Sequence, residues 1–430
     1  MKHLPPIELE SPEKIQRLQL TKLAALLRYL NAYSPYYKRL FSTHHIDVDR
    51  VSTWQDLARI PVTTKDDLQQ YNADFLCVPR QKIVEYTSTS GTLGKPVTIA
   101  LTHNDVQRLA YNECISFACA DGDELDLFQL MLTLDRQFMA GIAYYEGIRK
   151  LGAGIIRVGP GLPALQWETI DRLSPTALVA VPSFLLKLIE YATSQGIDLN
   201  RSSVKKAICI GESIRTPDLQ LNAMGKKIAD NWNIRLYGTY ASTEMQTAFT
   251  ECGEGSGGHL HPELIIVEIL DEYNNPANPG EPGEVTVTTL GVEGMPLLRY
   301  KTGDIVQAHE KKCSCGRSTT RLGPVIGRKQ QMIKLKGTTL YPPAIFDILN
   351  QIEHVHDYVV EVSTGEFGTD ALKVSVLTPN GKQHIENAIR SMFQSRLRVV
   401  PDIQLVSQPE LERLQSGGGR KVKKFIDNRK

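Results

Sequence analysis

The sequence predicts an α/β protein with a large N-terminal domain of layered sheets and helices, a β-barrel-like appendage, and a small C-terminal α+β domain. Three observations support this. Short apolar runs alternate with helical patterns between residues 105 and 270, the pattern changes to period two near residue 285, and a separate unit of roughly 100 residues follows Gly327. The 430 residues suit two or three domains of about 150 residues. We place the boundary after residue 327, giving domains 1–327 and 328–430.

The first predicted element is an amphipathic helix near the N-terminus. Leu20, Leu23, Leu27 and Leu30 recur at helical spacing and share one face. The turn-like segment Asn31–Pro35 ends the helix. This leucine face is expected to pack on the core.

The middle of the chain alternates predicted strands and helices. Strands are expected at Ala177–Val181 and Ala207–Ile210, and helices at Leu185–Ala192 and Leu219–Trp232. This order favours a mostly parallel sheet covered by helices.

Two further patterns follow toward the C-terminus. Val285 and Val287 alternate with threonines after the turn signal NNPANPGEPG, which indicates an antiparallel or barrel-like strand. The C-terminal domain is then predicted to contain a helix, two strands and a helix at Pro343–Ile352, Tyr358–Val362, Leu372–Leu377 and His384–Leu397.

Composition and charge exclude some classes of partner. Lys plus Arg is 49 and Asp plus Glu is 48, a net charge of +1, so the general attraction of a basic protein for nucleic acid or anionic lipid is absent. No stretch approaches the ~20 apolar residues of a membrane span, and the start MKHLPPIELESPEK lacks the apolar core of a secretory signal. We expect a cytoplasmic protein with neither a nucleic-acid nor a membrane partner.

The segment Tyr86–Pro96, YTSTSGTLGKP, concentrates hydroxyl groups, two glycines and a lysine, which together suit polyphosphate oxygens. It is not a P-loop of the NTPase type. Only two residues separate Gly91 from Gly94, and Lys95 is followed by proline rather than by a magnesium-binding hydroxyl. Alone, the segment is equally compatible with a turn of no function.

The segment resembles the phosphate loop of the AMP-forming adenylating enzymes, and further motifs of that superfamily follow in order. They are YASTE at Tyr240–Glu244, YKTGD at Tyr300–Asp304, Gly327–Arg328 with the segment after it, and a lysine near the C-terminus. The likeness is to the phenylacetate-CoA ligases and other aryl-CoA ligases. It runs from about residue 20 to residue 429, because this branch also has segments similar to SPYYKRLF, VPSFLLKLIEYA and GRKVKKFIDNR.

The resemblance implies ATP-dependent activation of a carboxylic acid, aromatic by branch, to an acyl-adenylate, followed by transfer to coenzyme A. It assigns the ATP phosphates to a loop comprising Ser88, Ser90, Gly91, Thr92, Gly94 and Lys95. It assigns the adenine pocket to Gly211, Glu212 and Tyr240, the α-phosphate to Thr243, Mg²⁺ to Glu244, the ribose to Asp304, and the ribose or phosphate to Arg328. Ala241 and Ser242 belong to the same nucleotide-binding motif, and Ala241 stands where the branch usually has glycine beside the acyl pocket. Lys336 and Gly337 would flank the tunnel for the pantetheine of coenzyme A.

Charge develops at phosphorus when a carboxylate attacks ATP, so catalysis needs fixed positive charge. The resemblance assigns this role to Lys421, with Lys423 and Lys424 as rivals. It also implies a hinge at Gln330, where relatives often carry aspartate, about which the small domain turns between the two half-reactions. By analogy, the acyl pocket is lined by the segment around Phe138, Ala140, Gly141 and Tyr144, by Val181–Phe184 and by Ala241. The same residues are equally compatible with the α/β core.

A zinc site is predicted from two pairs of ligands, Cys252 with His259 and Cys313 with Cys315. The resemblance supports it, because members of the branch carry a similar EC-x6-H and CxCGR combination and some bind zinc. Four protein ligands imply a structural role, and His261 competes with His259. The remaining cysteines, Cys77, Cys114, Cys119 and Cys209, are expected to be buried reduced thiols.

Two other classes of function stay open at this stage. An adenylating enzyme could pass its acyl group to an amine or a carrier-protein thiol, and a zinc-stabilised binding protein could have lost catalysis. Dimers are common among the relatives, so a homodimer is also open.

Overall fold

The computed structural model describes residues 3–89, 96–335, 338–365, 370–378, 382–416 and 423–429. The chain forms two compact units. The larger comprises Met1–Leu221, Gly225–Thr302 and Val306–Val325, and the smaller comprises Asn222–Met224, Gly303–Ile305 and Ile326–Lys430.

The α-helices of the described residues are α1 (Pro12–Tyr33), α2 (Pro35–Thr43), α3 (Trp54–Ala58), α4 (Lys65–Gln70), α5 (His103–Cys119), α6 (Met139–Leu151), α7 (Pro163–Leu173), α8 (Pro182–Ser194), α9 (Ala223–Asn231), α10 (Pro342–Gln351), α11 (Lys382–Leu397) and α12 (Gln408–Gln415). A short 3-10 helix, Pro6–Leu9, precedes α1. In the part of the chain that the structure describes, no helix combines the length and apolar character needed to cross a membrane.

The strands are β1 (Ile83–Ser88), β2 (Thr98–Thr102), β3 (Leu127–Leu130), β4 (Gly154–Arg157), β5 (Ala177–Ala180), β6 (Lys206–Cys209), β7 (Arg235–Ser242), β8 (Thr247–Thr250), β9 (Gly258–His259), β10 (Ile265–Leu270), β11 (Pro282–Thr289), β12 (Tyr300–His309), β13 (Arg321–Leu322), β14 (Gly327–Arg328), β15 (Ile333–Leu335), β16 (Thr338–Leu340), β17 (Asp357–Thr364), β18 (Asp370–Leu377), β19 (Asp402–Val406) and β20 (Phe425–Asp427).

The N-terminal helix α1 buries the leucine face that its sequence predicts. Leu23, Leu27 and Leu30 are at most 1% exposed, and Leu20 packs against the same core. The helix ends before Ser34, whose Oγ accepts a hydrogen bond from Tyr37 N at 3.3 Å and so caps α2.

A six-stranded sheet forms the centre of the larger unit, in the order β4-β3-β5-β6-β7-β8. Neighbours from β4 to β7 are parallel, and β8 is antiparallel to β7. The whole of β5 is buried because helices cover both faces of such a sheet. The predicted α/β class with a mostly parallel sheet is confirmed.

The larger unit also carries most of the antiparallel appendage, with strands in the order β10-β11-β12-β13-β9. Strand β14 pairs with β12 at Asp304 and Ile305, and these two residues and β14 belong to the smaller unit. Val285 and Val287 lie in β11 as predicted, but Thr286 and Thr288 are equally buried. Thr288 Oγ1 accepts a hydrogen bond from Arg299 N at 3.0 Å, which permits burial of that hydroxyl. Valine and threonine therefore alternate in β11 without an alternation in burial, since both faces of this strand are covered.

The smaller unit is built on a four-stranded sheet in the order β19-β18-β17-β20. Strands β17 and β18 are antiparallel, and β20 is parallel to β17. Its core consists largely of β-branched residues from the sheet and apolar residues of the helices, among them Val360, Val374, Ile348, Ile389 and Phe393.

Candidate active site

Most of the predicted nucleotide-binding residues of the larger unit follow neighbouring parallel strands. Gly211 and Glu212 come after β6, and Tyr240–Glu244 lie at the end of β7. Because β6 and β7 are paired in parallel, with Cys209 opposite Gly238, their carboxyl ends meet at one edge of the sheet. Open α/β sheets bind ligands just outside this edge.

Glu212 connects the end of β6 to helix α8. Its Oε2 accepts a hydrogen bond from Ser183 N at 2.9 Å and its Oε1 accepts one from Ser183 Oγ at 3.0 Å. Ser183 lies in the first turn of α8, where backbone N–H groups need partners. Gly211 has a φ of +73°, a conformation that glycine adopts without strain. The carboxylate therefore fixes the start of α8 at the sheet edge.

The YASTE motif forms the last part of β7 and the turn after it. Tyr240 is half-buried and packs at a tilt on Phe249, with ring centroids 5.9 Å apart, whereas Ala241 is exposed. Ser242 Oγ accepts a hydrogen bond from Met245 N at 3.2 Å, which closes the turn that contains Thr243. The Glu244 Oε1 atom lies 3.5 Å from the donating hydroxyl of Tyr300.

The two ends of the predicted phosphate loop are joined to each other. Thr89 N donates to Val97 O at 3.0 Å, and Val97 N donates to Thr89 Oγ1 at 2.9 Å. Ser88 N donates to Gln137 O at 2.9 Å, which brings the end of β1 to the segment that follows β3. The loop residues Ser90, Gly91, Thr92, Gly94 and Lys95 lie outside the described residues.

The remaining predicted ligands belong to the smaller unit. Asp304 is 6% exposed and lies opposite Arg328 in the β12–β14 pair. Arg328 Nε donates to Asp304 Oδ1 at 3.1 Å, so these two predicted ribose ligands contact each other. Lys336, Gly337 and Lys421 lie outside the described residues. At the predicted hinge, Arg429 donates to the carbonyl oxygens of Gln330 and Met332 at 3.1 and 2.6 Å.

One part of the expected acyl pocket is wrong. Tyr144 is 3% exposed and packs edge-on against Phe117, with ring centroids 5.7 Å apart, so it belongs to the core under the sheet. A Cβ at Gly141 would lie 2.5 Å from Thr133 O. This glycine thus lets α6 approach the loop after β3.

The four predicted zinc ligands come together. One donor atom from each of Cys252, His259, Cys313 and Cys315 lies within 4.8 Å of the others. The Sγ atoms of Cys252 and Cys313 are 3.7 Å apart, and Cys315 Sγ is 3.6 Å from His259 Nε2. Strand pairing explains the convergence, because β9 places His259 opposite Arg321 in β13, just after the CxCGR segment.

Burial sets the protonation of this cysteine and histidine cluster. It lowers the pKa of His259 to about 3, so the imidazole is neutral, the form that binds metals. His259 Nδ1 lies 2.9 Å from Thr319 Oγ1, and Nε2 faces the thiols. Burial likewise raises the pKa of the Cys252 thiol to about 12. The competing histidine, His261, instead lies with Nδ1 2.6 Å from Glu8 Oε1.

Three residues near the cluster were missed or misjudged in the sequence. Cys119 is buried as expected, yet it packs against Cys252 and Cys313 rather than among unrelated apolar residues. Glu8 and Arg317 form a buried ion pair at 2.7 Å beside the cluster. No local pattern marks this pair, since 309 positions separate its members.

Comparison with known proteins identifies the family. The family model described as AMP-binding enzyme matches residues 42–294, and the AMP-binding enzyme C-terminal domain matches residues 337–429. The chain is 28% identical to the phenylacetate-coenzyme A ligase of Thermus thermophilus over 88% of this chain and 85% of that protein. It is 27% identical to the ligase of the same name from Escherichia coli, over 94% of this chain and 93% of that protein.

Solved structures show the same fold. A 2-hydroxyisobutyryl-CoA ligase in its postadenylation state, in complex with an acyl-AMP, superposes with a TM-score of 0.86 at 21% identity. The match covers 99% of this chain and 94% of the ligase. The resemblance predicted from the ordered motifs is confirmed: the chain belongs to the AMP-binding enzymes, in the phenylacetate-CoA ligase branch of that family.

Proposed function

We propose that the protein activates a carboxylic acid with ATP and transfers the acyl group to coenzyme A. The observation that carries this proposal is that Glu212 and the Tyr240–Glu244 motif follow adjacent parallel strands at one sheet edge, in a chain of the AMP-binding family. Ser88 joins the same region through its hydrogen bond to Gln137 in the segment after β3.

In the first half-reaction, a carboxylate oxygen of the acid attacks the α-phosphorus of ATP, a new P–O bond forms, and pyrophosphate leaves. Lys421 supplies the fixed positive charge that stabilises the charge developing at phosphorus, and Thr243 binds the α-phosphate. Glu244 offers the carboxylate oxygen that Mg²⁺ prefers, and the ion would neutralise phosphate charge there. The flat ring of Tyr240 provides an apolar surface for adenine.

In the second half-reaction, the sulfur of coenzyme A attacks the acyl carbon, the C–O bond to AMP breaks, and the thiol proton is released. The small domain turns about Gln330 between the two steps, and Lys336 and Gly337 border the path of the pantetheine. An aryl acid is the substrate class that membership of this branch favours. The methyl group of Ala241 would narrow the acyl pocket relative to the glycine that the branch usually has at this position.

Two product measurements test the proposed function. Pyrophosphate release is measured with a panel of aryl and fatty acids that begins with phenylacetate, and AMP and thioester are then measured after coenzyme A is added. We expect pyrophosphate with an aryl acid and thioester only when coenzyme A is present. Pyrophosphate without thioester would indicate an amine or carrier-protein acceptor, and no pyrophosphate with any acid would contradict adenylation.

We also propose a structural zinc ion bound by Cys252, His259, Cys313 and Cys315. Zinc–sulfur bonds of about 2.3 Å in a tetrahedron place two sulfur atoms about 3.8 Å apart. The 3.7 Å between the Cys252 and Cys313 sulfur atoms fits this edge. A neutral imidazole with three cysteines, which bind as thiolates, is a zinc donor set. Four protein ligands leave no position for substrate, so the ion would stabilise the fold.

Metal analysis tests the zinc proposal. We expect about one zinc per chain in the purified protein, and a large loss of zinc in Cys313→Ser. Cys209→Ser is the matched control, because Cys209 is a buried thiol of the central sheet. Equal zinc content in both variants would contradict the assignment.

A homodimer and a cytoplasmic location stay predictions. Light scattering coupled to size-exclusion chromatography measures the mass of the particle in solution and decides whether the protein is a homodimer.

A further inference from the structure

A single buried carboxylate near the N-terminus contacts the segment that carries two of the proposed zinc ligands. Glu8 is 0% exposed. Its Oε2 accepts a hydrogen bond from Arg317 Nε at 2.7 Å, and its Oε1 lies 2.6 Å from His261 Nδ1. His261 is held from the other side, where Nε2 lies 3.2 Å from Ser116 Oγ of α5. The carboxylate thus has a fixed place and two charged or polar partners.

The backbone of Glu8 contacts the same segment. Glu8 O accepts a hydrogen bond from Ser318 N at 2.7 Å, directly after Arg317. Arg317 O in turn accepts one from Cys313 N at 3.1 Å, which closes the turn of the CxCGR segment. Side chain and main chain of one residue therefore hold this turn.

Arg317, which Glu8 binds, in turn contacts a proposed zinc ligand. Its Nη1 donates to Cys315 Sγ at 3.5 Å, and its side chain is only 3% exposed. Three thiolates around one divalent cation carry a net charge of −1, so a guanidinium against one of the sulfur atoms offsets charge that burial makes costly. Glu8 keeps that guanidinium in place by binding Nε.

We propose that Glu8 is a positioning residue of the zinc site, holding Arg317 against Cys315 so that the N-terminal segment controls how fast zinc is lost. This inference rests on the proposed zinc ion. It assigns a function to residue 8, which lies outside both matched family segments, 42–294 and 337–429. Partners that orient metal ligands typically change metal affinity by about 10- to 100-fold when they are replaced.

Zinc release from the full-length protein tests the proposal. Release into a coloured chelator is timed for wild type, Glu8→Gln and Glu8→Asp, and we expect about tenfold faster release from Glu8→Gln and partial rescue by aspartate. Glu268→Gln is the matched control, since Glu268 forms a 2.9 Å ion pair with the buried Arg299 away from the cysteines. Its release rate should equal that of wild type.

Cobalt substitution gives a readout that general destabilisation does not move. The thiolate-to-cobalt absorption band should shift in Glu8→Gln, because the hydrogen bond to Cys315 changes, and should stay in place in Glu268→Gln. Wild-type release and an unshifted band in Glu8→Gln would overturn the role of Glu8 while the zinc ion stands. A wild-type protein that binds neither zinc nor cobalt would overturn both proposals, and the acyl-transfer function would be unaffected.

Discussion

The cysteine and histidine cluster and the proposed nucleotide-binding residues differ in how they are distributed over the two units. All four cluster residues belong to the larger unit, and their donor atoms lie within 4.8 Å of one another. The proposed nucleotide-binding residues are distributed differently along the chain, with Glu212 and Glu244 in the larger unit and Asp304 and Arg328 in the smaller. One set of residues belongs to a single unit, and the other set has members in each.

This difference suits the two proposed functions. A structural metal gains most from ligands that hold one arrangement, whereas two successive half-reactions need different groups near the same adenylate. Substitutions in the cluster should therefore act through stability and zinc retention. Substitutions among the proposed nucleotide-binding residues should instead lower the rate of one half-reaction more than that of the other. Measuring the two half-reactions separately is therefore the sharpest test of this difference.

The largest effect is expected from Lys421→Ala. Removing a fixed charge that stabilises the developing phosphate charge should lower adenylate formation by about 10²- to 10³-fold. Conversion of supplied acyl-adenylate to thioester should persist, since that step breaks the acyl C–O bond to AMP and involves no attack on phosphorus. Pyrophosphate release and thioester formation are measured separately for each step.

Lys423→Ala is the matched control for Lys421→Ala, because it removes a neighbouring lysine of the same basic segment. We expect both half-reactions to stay near the wild-type rate. If Lys423→Ala reproduced the selective loss, the rival lysine would take the catalytic role, and an equal loss of both steps in Lys421→Ala would show a role unrelated to phosphate charge.

An intermediate effect is expected from Glu212→Ala. The change leaves Ser183 N without its carboxylate partner at the start of α8, and a lost hydrogen bond to a charged group costs about 1.5–3 kcal/mol. We expect the KM for ATP to rise by about tenfold, measured in the pyrophosphate assay, with a smaller effect on thioester formation from supplied adenylate. Ser183→Ala removes only the Oγ contact and should change the KM for ATP less. An unchanged KM in Glu212→Ala would contradict the assignment of Glu212 to the adenine pocket.

The sequence predicted those helices and strands whose local hydrophobic pattern matches the burial of their residues in the folded chain. The leucines of α1 face the core, and the strand expected at Ala177–Val181 is β5 at Ala177–Ala180. Ordered motifs likewise indicated the family. The residues that approach the sheet edge are predictable because chain order places them after successive parallel strands.

Contacts between distant segments were not predictable in the same way. Tyr144 has the aromatic character of a pocket residue, and only its burial against Phe117 in the folded chain shows that it is core. Glu8 sits in the polar segment PIELE, which is typical of an exposed N-terminus, and its partner Arg317 is 309 positions away. Burial of a carboxylate follows from its partners, and nothing near it in the sequence identifies them.

The smallest effect on rate is expected from Glu113→Gln in α5, a helix of the larger unit. Helix α5 carries Cys119 beside the cysteine cluster, and Glu113 packs against α6, where a Cβ at Gly147 would meet Glu113 Cβ at 2.2 Å. Burial raises the pKa of Glu113 to about 8, against a lowering by the hydrogen bond from Asn112 Nδ2. The folded protein therefore keeps a proton that the unfolded chain releases above its ordinary carboxyl pKa.

A raised carboxyl pKa in the folded state means that wild-type stability falls as pH rises from about 5 to about 8, whereas a glutamine contributes no such slope. We expect Glu113→Gln to gain on the order of 1–2 kcal/mol over wild type between pH 6 and pH 8, measured by urea unfolding. Glu190→Gln, at an exposed position of α8, should follow the wild-type pH dependence. If Glu113→Gln also followed it, the Glu113 carboxylate would be charged in the folded state, and the raised pKa would be contradicted.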